Sequence, residues 1–213
     1  FHNFPLAMKR WHEENIIKFL KDNIEPYQDS AYGFGYRAAV YLKDGIYLPC
    51  VIFRNPETIV NLAIRRFKEE IKGNGIFNKG SGTGYYNIVK SFVTSGNRIN
   101  EYDIEQVEKS KYAFPLAIQQ QVKGETTMGW TGFGAKMKDG KIFGFGTSFT
   151  FEFFSMPEGY AVEDIVEIIN HSYVLKTGEL RSHRQGPLTR PEEYKDAVVY
   201  RERPYFDCYI DNL

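Results

Sequence analysis

The chain lacks most of the short motifs that identify a known chemistry. It has no Cys-x-x-Cys pair, no His-Glu-x-x-His, no Gly-x-Ser-x-Gly and no Gly-Lys-Ser/Thr, which argues against zinc hydrolases, serine-nucleophile elbows and P-loops. Cysteine is scarce: Cys50 and Cys208 each lie in an apolar, strand-like run, so we expect two buried free thiols. We expect no metal ion and no cofactor.

An excess of charge and a long apolar run are also missing. Lys+Arg and Asp+Glu number 27 each, so a global attraction for nucleic acid or an anionic membrane is not expected. A local basic patch still leaves nucleic acid as an open alternative. No apolar stretch reaches the roughly 20 residues of a membrane-spanning helix, and nothing resembles a secretory signal. The expected location is therefore the cytoplasm, without a membrane.

Aromatic residues and glycine are abundant instead. The 213 residues include 17 Phe, 15 Tyr and 19 Gly, a mixture that favours sheets in which large rings pack over small partners. Apolar periodicity predicts helices near 4–24, 56–72 and 161–172, with Asn55 capping the second. Hairpins are predicted over 36–53 and 125–156, with turns at Asp44-Gly45 and Asp139-Gly140.

These elements predict an α+β fold: a mixed or antiparallel sheet built from hairpins, with helices packed mainly on one face. Shorter elements are expected as a capped helix over 100–110, a helix or strand lead-in over 116–122 and a final strand over 203–210. We expect a single domain spanning 1–213, with a lobe boundary or mobile loop near the glycine-rich residues 78–84. That loop could alternatively bind phosphate through its backbone N–H groups.

The long hairpin carries the best candidate site. A two-residue turn at Asp139-Gly140 would place Thr127 opposite Glu152 and bring Glu125 diagonal to Glu152, about 7 to 8 Å away. The alternating phenylalanines of the second strand would form the core face, and Gly144, Gly146, Ser148, Thr150 and Glu152 would form a polar face. Two carboxylates at that spacing suit general acid–base chemistry, although a wet sheet face often carries such residues without function.

A cationic loop is the second candidate site. Arg181, His183 and Arg184 lie together in a loop-like stretch, and Arg forks suit phosphate or carboxylate. We therefore predict an anion-binding site there, although a solvated loop explains the same residues. In the last strand, Asp207 could join the two glutamates, or it could pair with Arg203 on its own face, which is the interpretation we favour.

Two classes of function follow. The first is a non-catalytic, intracellular binding or regulatory domain whose partner is another protein or a second copy of the chain. The second is a hydrolase acting on a phosphodiester or glycoside, with Glu125 and Glu152 as its carboxylate pair and residues 181–184 gripping the substrate. We favour the first class, because active sites usually leave a stronger constellation of residues in the sequence.

Overall fold

A computed structural model of the chain describes residues 6–29, 32–71, 96–183 and 194–213. Its contacts form two compact units: the described residues through Lys109 together with Tyr205–Leu213, and Ser110–Pro204. The predicted boundary near 78–84 lies outside the described residues. The single domain over 1–213 therefore stays a prediction.

The described residues contain both helices and strands, which confirms a mixed α+β fold. The helices are α1 (Leu6–Asn23), α2 (Pro56–Ile71) and α3 (Leu116–Gln119). The strands are β1 (Pro26–Asp29), β2 (Gly33–Leu42), β3 (Tyr47–Arg54), β4 (Arg98–Ile99), β5 (Ile104–Lys109), β6 (Thr131–Met137), β7 (Ile142–Thr147), β8 (Ile165–Asn170), β9 (Ser172–Leu175), β10 (Leu180–Ser182), β11 (Ala197–Val198), β12 (Tyr200–Arg201) and β13 (Phe206–Tyr209).

The first unit is built on a mixed sheet of order β1-β2-β3-β13-β4, with β5 also pairing β2. Strand β13 runs parallel to β3 and β4, whereas β2 is antiparallel to β1, β3 and β5. Ile16 and Leu20 of α1 pack with Val40 and Phe53 in one apolar core. Ala39, from the opposite face of β2, is also fully buried, so side chains on both faces of this strand are buried.

Local sequence signals explain several boundaries in this unit. The Oδ1 atom of Asn55 accepts a hydrogen bond of 2.9 Å from the backbone N–H of Glu57, which confirms the predicted cap of α2. Opposite Pro49, the β2–β3 register shifts between Ala38 and Val40, an irregularity that accommodates a residue without a backbone N–H.

The second unit contains a sheet of order β12-β7-β6-β8 and a smaller sheet of order β10-β9-β11. Its core is aromatic: the rings of Phe133 and Phe145 stack with centroids 5.7 Å apart, and Phe114 stacks on Phe154 at 4.6 Å. Helix α3 lies within the range 116–122, where a helix was one of two predicted alternatives.

Two predicted helices are wrong. Residues 161–172 form a 3₁₀ turn at Val162–Asp164, then β8 and the start of β9. Residues 100–110 form a 3₁₀ turn at Glu101–Asp103 and then β5. In both cases β-branched residues fit a pleated strand, and pairing with β6 or β2 outweighed an apolar spacing that also matched a helix. The packing of helices on one face therefore stays a prediction.

Candidate functional site

The turn of the long hairpin differs from the prediction by one residue. Gly140 N–H donates to Met137 O over 2.9 Å, and Met137 N–H donates to Lys141 O over 2.8 Å. The loop is therefore three residues long, Lys138 to Gly140, and ends in a glycine with a φ of 89°, the geometry of a type I turn followed by a glycine bulge. Lys43 to Gly45 repeats it, with a φ of 88° at Gly45.

This extra residue changes every cross-strand partner. Thr131 pairs with Thr147, and Lys136 pairs with Ile142, so each residue of β6 faces the neighbour of its predicted partner. The ladder ends at Thr147, and Thr127 forms a bridge with Trp130 instead of facing Glu152. The predicted opposition of Thr127 and Glu152 is therefore wrong.

The two glutamates of the predicted carboxylate pair have different surroundings. Glu125 is exposed, and its Oε1 accepts a hydrogen bond of 2.5 Å from the N–H of Gly129. Glu152 is only 6% exposed and lies beyond the end of β7. No strand pairing places them side by side, so the catalytic hypothesis loses the geometry on which it was based.

The predicted polar face is a buried glycine face. Gly132, Gly134, Gly144 and Gly146 are all buried, because the small sheet and Trp130 lie over them. A Cβ on Gly144 would lie 2.7 Å from the carbonyl oxygen of Val198, so only glycine allows the two sheets this close an approach.

Trp130 lies flat against this glycine face. A Cβ on Gly146 would overlap the indole, lying 2.5 Å from Cη2 and 2.8 Å from Cε2. The guanidinium carbon of Arg201 lies 4.7 Å from the centre of the same ring, and Arg201 donates to both carboxylate oxygens of Glu202 over 2.8 and 2.9 Å. These two hydrogen bonds raise the pKa of Arg201, so the indole contacts both the glycine backbone and a guanidinium cation that is paired with Glu202.

Two of the three predicted anion-binding residues, Arg181 and His183, contact neighbouring side chains. Arg181 Nη2 donates to Glu179 over 3.0 Å, and Arg184 lies outside the described residues. His183 Nδ1 lies 3.1 Å from the hydroxyl of Tyr194, and its ring centre lies 4.9 Å from that of Tyr173.

The electrostatics of His183 also oppose anion binding. Burial of the ring lowers the pKa of His183, and the positive charge of His171 lowers it further. The imidazole is therefore a neutral member of an aromatic cluster near neutral pH. Anion binding at residues 181–184 stays a prediction that these contacts do not favour.

Asp207 and Arg203 do not form the expected pair. Asp207 accepts a hydrogen bond of 3.3 Å from Arg54 Nε within the first unit, and Asn97 donates to its other oxygen over 3.3 Å. Arg203 belongs to the second unit, where its guanidinium carbon lies 4.1 Å from the ring centre of Tyr112. Asp207 therefore forms an ion pair with Arg54 on the mixed sheet of the first unit.

The open end of the β6–β7 hairpin carries an arrangement that the sequence did not predict. Met128, in the loop before β6, is 98% exposed, and Phe149, in the loop after β7, is 88% exposed. Because the strands are antiparallel and Thr131 pairs with Thr147, both loops leave the same end. We call Met128 and Phe149 the hairpin-end surface.

Both exposed side chains stand on ordered turns. Met128 and Gly129 have φ angles of 35° and 79°, and Trp130 N–H donates to Thr127 O over 2.7 Å, which is the pattern of a type I′ turn. The backbone N–H of Phe149 donates to Thr147 Oγ1 over 3.0 Å. A Met in the left-handed region is uncommon and strained.

The signal for this surface was weak but present in the sequence. Met128 follows two threonines and directly precedes Gly129 and Trp130. This local sequence fits a tight turn as well as a strand. Likewise, Thr147 and Thr150 flank Phe149 with side chains that can bond to the backbone and end a strand. Strand parity alone predicts Phe149 on the core face, with the alternating phenylalanines of the second strand.

Comparisons with known proteins give no further assignment. No family model, no curated protein and no solved structure matches this chain. In the part of the chain that the structure describes, no group of three His, Cys, Asp or Glu side chains could hold a metal ion. Among those same residues, no helix combines the length and apolarity needed to cross a membrane.

Proposed function

We propose that this chain is a non-catalytic binding domain that docks another protein through the hairpin-end surface. The single observation that carries the proposal is the exposure of Met128 and Phe149, at 98% and 88%, on two ordered turns at one end of one hairpin. Large apolar side chains that project from ordered loops are typical anchors of protein interfaces.

Ordered turns make these side chains suitable anchors. Glu125 holds the N–H of Gly129, and Thr147 holds the N–H groups of Phe149 and Thr150, so little backbone freedom remains to be lost on binding. Preorganisation of this kind raises affinity because the entropy of ordering the loop has already been lost during folding.

The charges near the surface favour a protein over a lipid bilayer. An anionic membrane surface attracts clusters of Lys and Arg beside inserted apolar residues. In the described loops, Glu125 precedes Met128 and supplies a negative charge, and Arg201 of β12 is paired with Glu202. Methionine and phenylalanine beside a carboxylate fit an apolar pocket on a different protein, and a second copy of this chain is an outcome that the adduct mass would reveal.

The hydrolase alternative has no comparable support. Its carboxylate pair depended on a cross-strand register that the hairpin does not adopt. Its substrate-gripping loop includes an Arg paired with Glu179 and a half-buried His whose ring contacts two tyrosines. A cytoplasmic location belongs to the proposal as well; it is supported by Cys50 and Cys208, which are buried and unlinked thiols.

A photo-crosslinking experiment tests the docking surface. Replacing Phe149 with benzoylphenylalanine and irradiating the protein in native cell extract should give one discrete adduct, whose mass distinguishes a foreign partner from a second copy. Met128→Ser should lower the adduct yield at least tenfold. The matched control is the same probe at Val166, which is 53% exposed on β8 near the closed end of the hairpin, and we expect little adduct there.

Two outcomes would contradict the proposal. Equal and indiscriminate adducts from positions 149 and 166 would show that Phe149 is merely exposed. If the protein sedimented with neutral or anionic vesicles and Met128→Ser abolished this co-sedimentation, the surface would bind lipid.

A further inference from the structure

The sulfur atoms of the described side chains differ sharply in their access to solvent. Met128 is 98% exposed, whereas Met137 is 1%, Cys50 3% and Cys208 0% exposed. Met156 is partly buried. A dissolved oxidant therefore meets the thioether of Met128 well before any other sulfur that the structure describes.

Thiols usually react before thioethers, but here they are shielded. Reaction of a cysteine with peroxide requires the thiolate. Burial raises the pKa of the Cys208 thiol far above its ordinary value, and the charges of Glu101 and Asp207 act in the same direction. Cys50 lies in β3 within the sheet of the first unit, so neither thiol competes for oxidant in the folded protein.

We infer that Met128 is a modification site, at which hydrogen peroxide oxidises the thioether to the sulfoxide and thereby releases the partner bound at the hairpin-end surface. This regulatory role rests on the proposed function, because it requires Met128 to be an anchor. The modification itself does not depend on any partner.

The chemistry is a two-electron oxygen transfer. A sulfur lone pair of Met128 attacks one oxygen of hydrogen peroxide, the O–O bond breaks, and an S–O bond forms. The leaving hydroxide takes the remaining proton, so the products are methionine sulfoxide and water. Methionine sulfoxide reductase reverses the step with two thiols, which become a disulfide while the oxygen leaves as water.

The turn allows oxidation without unfolding. Its hydrogen bonds run between Trp130 N–H and Thr127 O and between Gly129 N–H and Glu125 Oε1, so the Met128 side chain takes part in none of them. The sulfoxide converts a flexible apolar side chain into a polar one. An apolar pocket that accepts the thioether would therefore reject the oxidised side chain while the domain stays folded.

The first measurement needs no partner. The native protein is treated with hydrogen peroxide, quenched at intervals and digested for peptide mass mapping. We expect Met128 to gain one oxygen at least tenfold faster than Met137, with an unchanged circular dichroism spectrum. Comparable rates for Met128 and Met137 in the folded protein would overturn the assignment of the site.

The second measurement uses the crosslinking yield from benzoylphenylalanine at position 149. Peroxide should lower the yield at least tenfold, about 1.4 kcal/mol of binding free energy, and sulfoxide reductase with dithiothreitol should restore it. Met128→Leu, which is apolar and lacks sulfur, should keep the yield and resist peroxide. Met128→Gln, which is polar, should behave as the oxidised protein does.

The outcomes separate the two claims. If Met128→Ser abolishes the adduct but oxidation does not, the switch is overturned and the docking surface stands. If neither Met128→Ser nor oxidation changes the adduct, the proposed function and its regulation both fail, while selective oxidation would still assign the modification. If peroxide also abolished the adduct of Met128→Leu, the group that responds to peroxide would lie elsewhere. The regulatory role of Met128 would then be overturned.

Discussion

Adding one methyl group to the glycine face should displace Trp130. In Gly146→Ala the new Cβ would overlap the indole, with Cη2 2.5 Å and Cε2 2.8 Å away. Carbon atoms in contact prefer about 3.5 to 4.0 Å, and Cζ2 lies closer to the new Cβ than Cη2 does, so the ring must move by more than about 1 Å. Gly146 also pairs with Gly132 and Arg201 in neighbouring strands, so its backbone has little room to yield.

The expected loss of stability follows from three effects. Overpacking a filled site destabilises by about 1 to 3 kcal/mol. Displacing the ring disturbs its cation–π contact with Arg201, which is worth about 0.5 to 1 kcal/mol. Replacing a glycine within a strand returns about 0.5 to 1 kcal/mol of backbone entropy. We therefore expect Gly146→Ala to lower the free energy of unfolding by about 1 to 3 kcal/mol, since the last two effects nearly cancel.

Urea unfolding followed by circular dichroism measures this loss, and indole fluorescence reports the displaced ring. Placing the substitution in a Trp11→Phe background leaves Trp130 as the single indole, and its emission should shift to longer wavelength. Gly96→Ala is the matched control, because no heavy atom of the described residues lies within 4 Å of its new Cβ. We expect its stability to change by less than about 0.5 kcal/mol.

Trp130→Ala provides the decisive comparison. In that background Gly146→Ala has no ring to displace, so the loss should largely disappear, with a coupling energy of at least about 1 kcal/mol. The reasoning is refuted if Gly146→Ala matches Gly96→Ala in stability, or if its loss is equal with and without the indole.

Three further predictions concern single side chains. Burial holds the pKa of His183 below its ordinary 6.5, so the unfolded chain binds a proton before the folded protein does as the pH falls. The contribution of His183 to the free energy of unfolding should therefore be full above about pH 6.5, decline below it and level off under the folded pKa. In a profile of melting temperature against pH, His183→Phe should flatten this decline. Glu125→Ala removes the acceptor of the Gly129 N–H and should lower stability by about 1 kcal/mol in urea, whereas Glu125→Gln should keep most of it. Cys50 and Cys208 are 3% and 0% exposed, so a thiol reagent such as DTNB should label them only at the rate of unfolding; rapid labelling of the native protein would contradict their burial.

Much of the first unit could be predicted from local sequence. Asn55 caps α2 and Asp44-Gly45 marks a hairpin, since each signal depends on the chemistry of a few neighbouring residues. The periodicity of α1 was equally clear. Local rules succeed here because capping and turn geometry require no information about distant strands.

The prediction of the candidate site was wrong because local sequence rules allow two loop lengths at the turn of the long hairpin. Asp139-Gly140 is compatible with a two-residue turn and with a three-residue loop that includes Lys138. The second of these moves every partner by one residue and shifts Glu152 away from Thr127. A single sequence does not distinguish these loops, because their energies depend on how the flanking strands twist and pack.

The residues 161–172 show the same ambiguity at a larger scale. Val162, Ile165, Val166 and Ile169 have helical spacing, yet β8 forms because β6 offers a pairing partner over 133–137. The exposure of Met128 and Phe149 could not be predicted from the sequence, for a related reason. Strand parity predicts which face a side chain takes only while the strand continues, and both residues lie in turns beyond its ends.

By itself the sequence determined the α+β class, the cap of α2, the positions of both hairpins and the burial of its two thiols, since these follow from composition and from contacts a few residues apart. Only the tertiary structure decided the hairpin register, the covering of the glycine face and the exposure of Met128 and Phe149. Those outcomes depend on which strands meet and where each ladder stops, and they are set by packing between segments far apart in the chain.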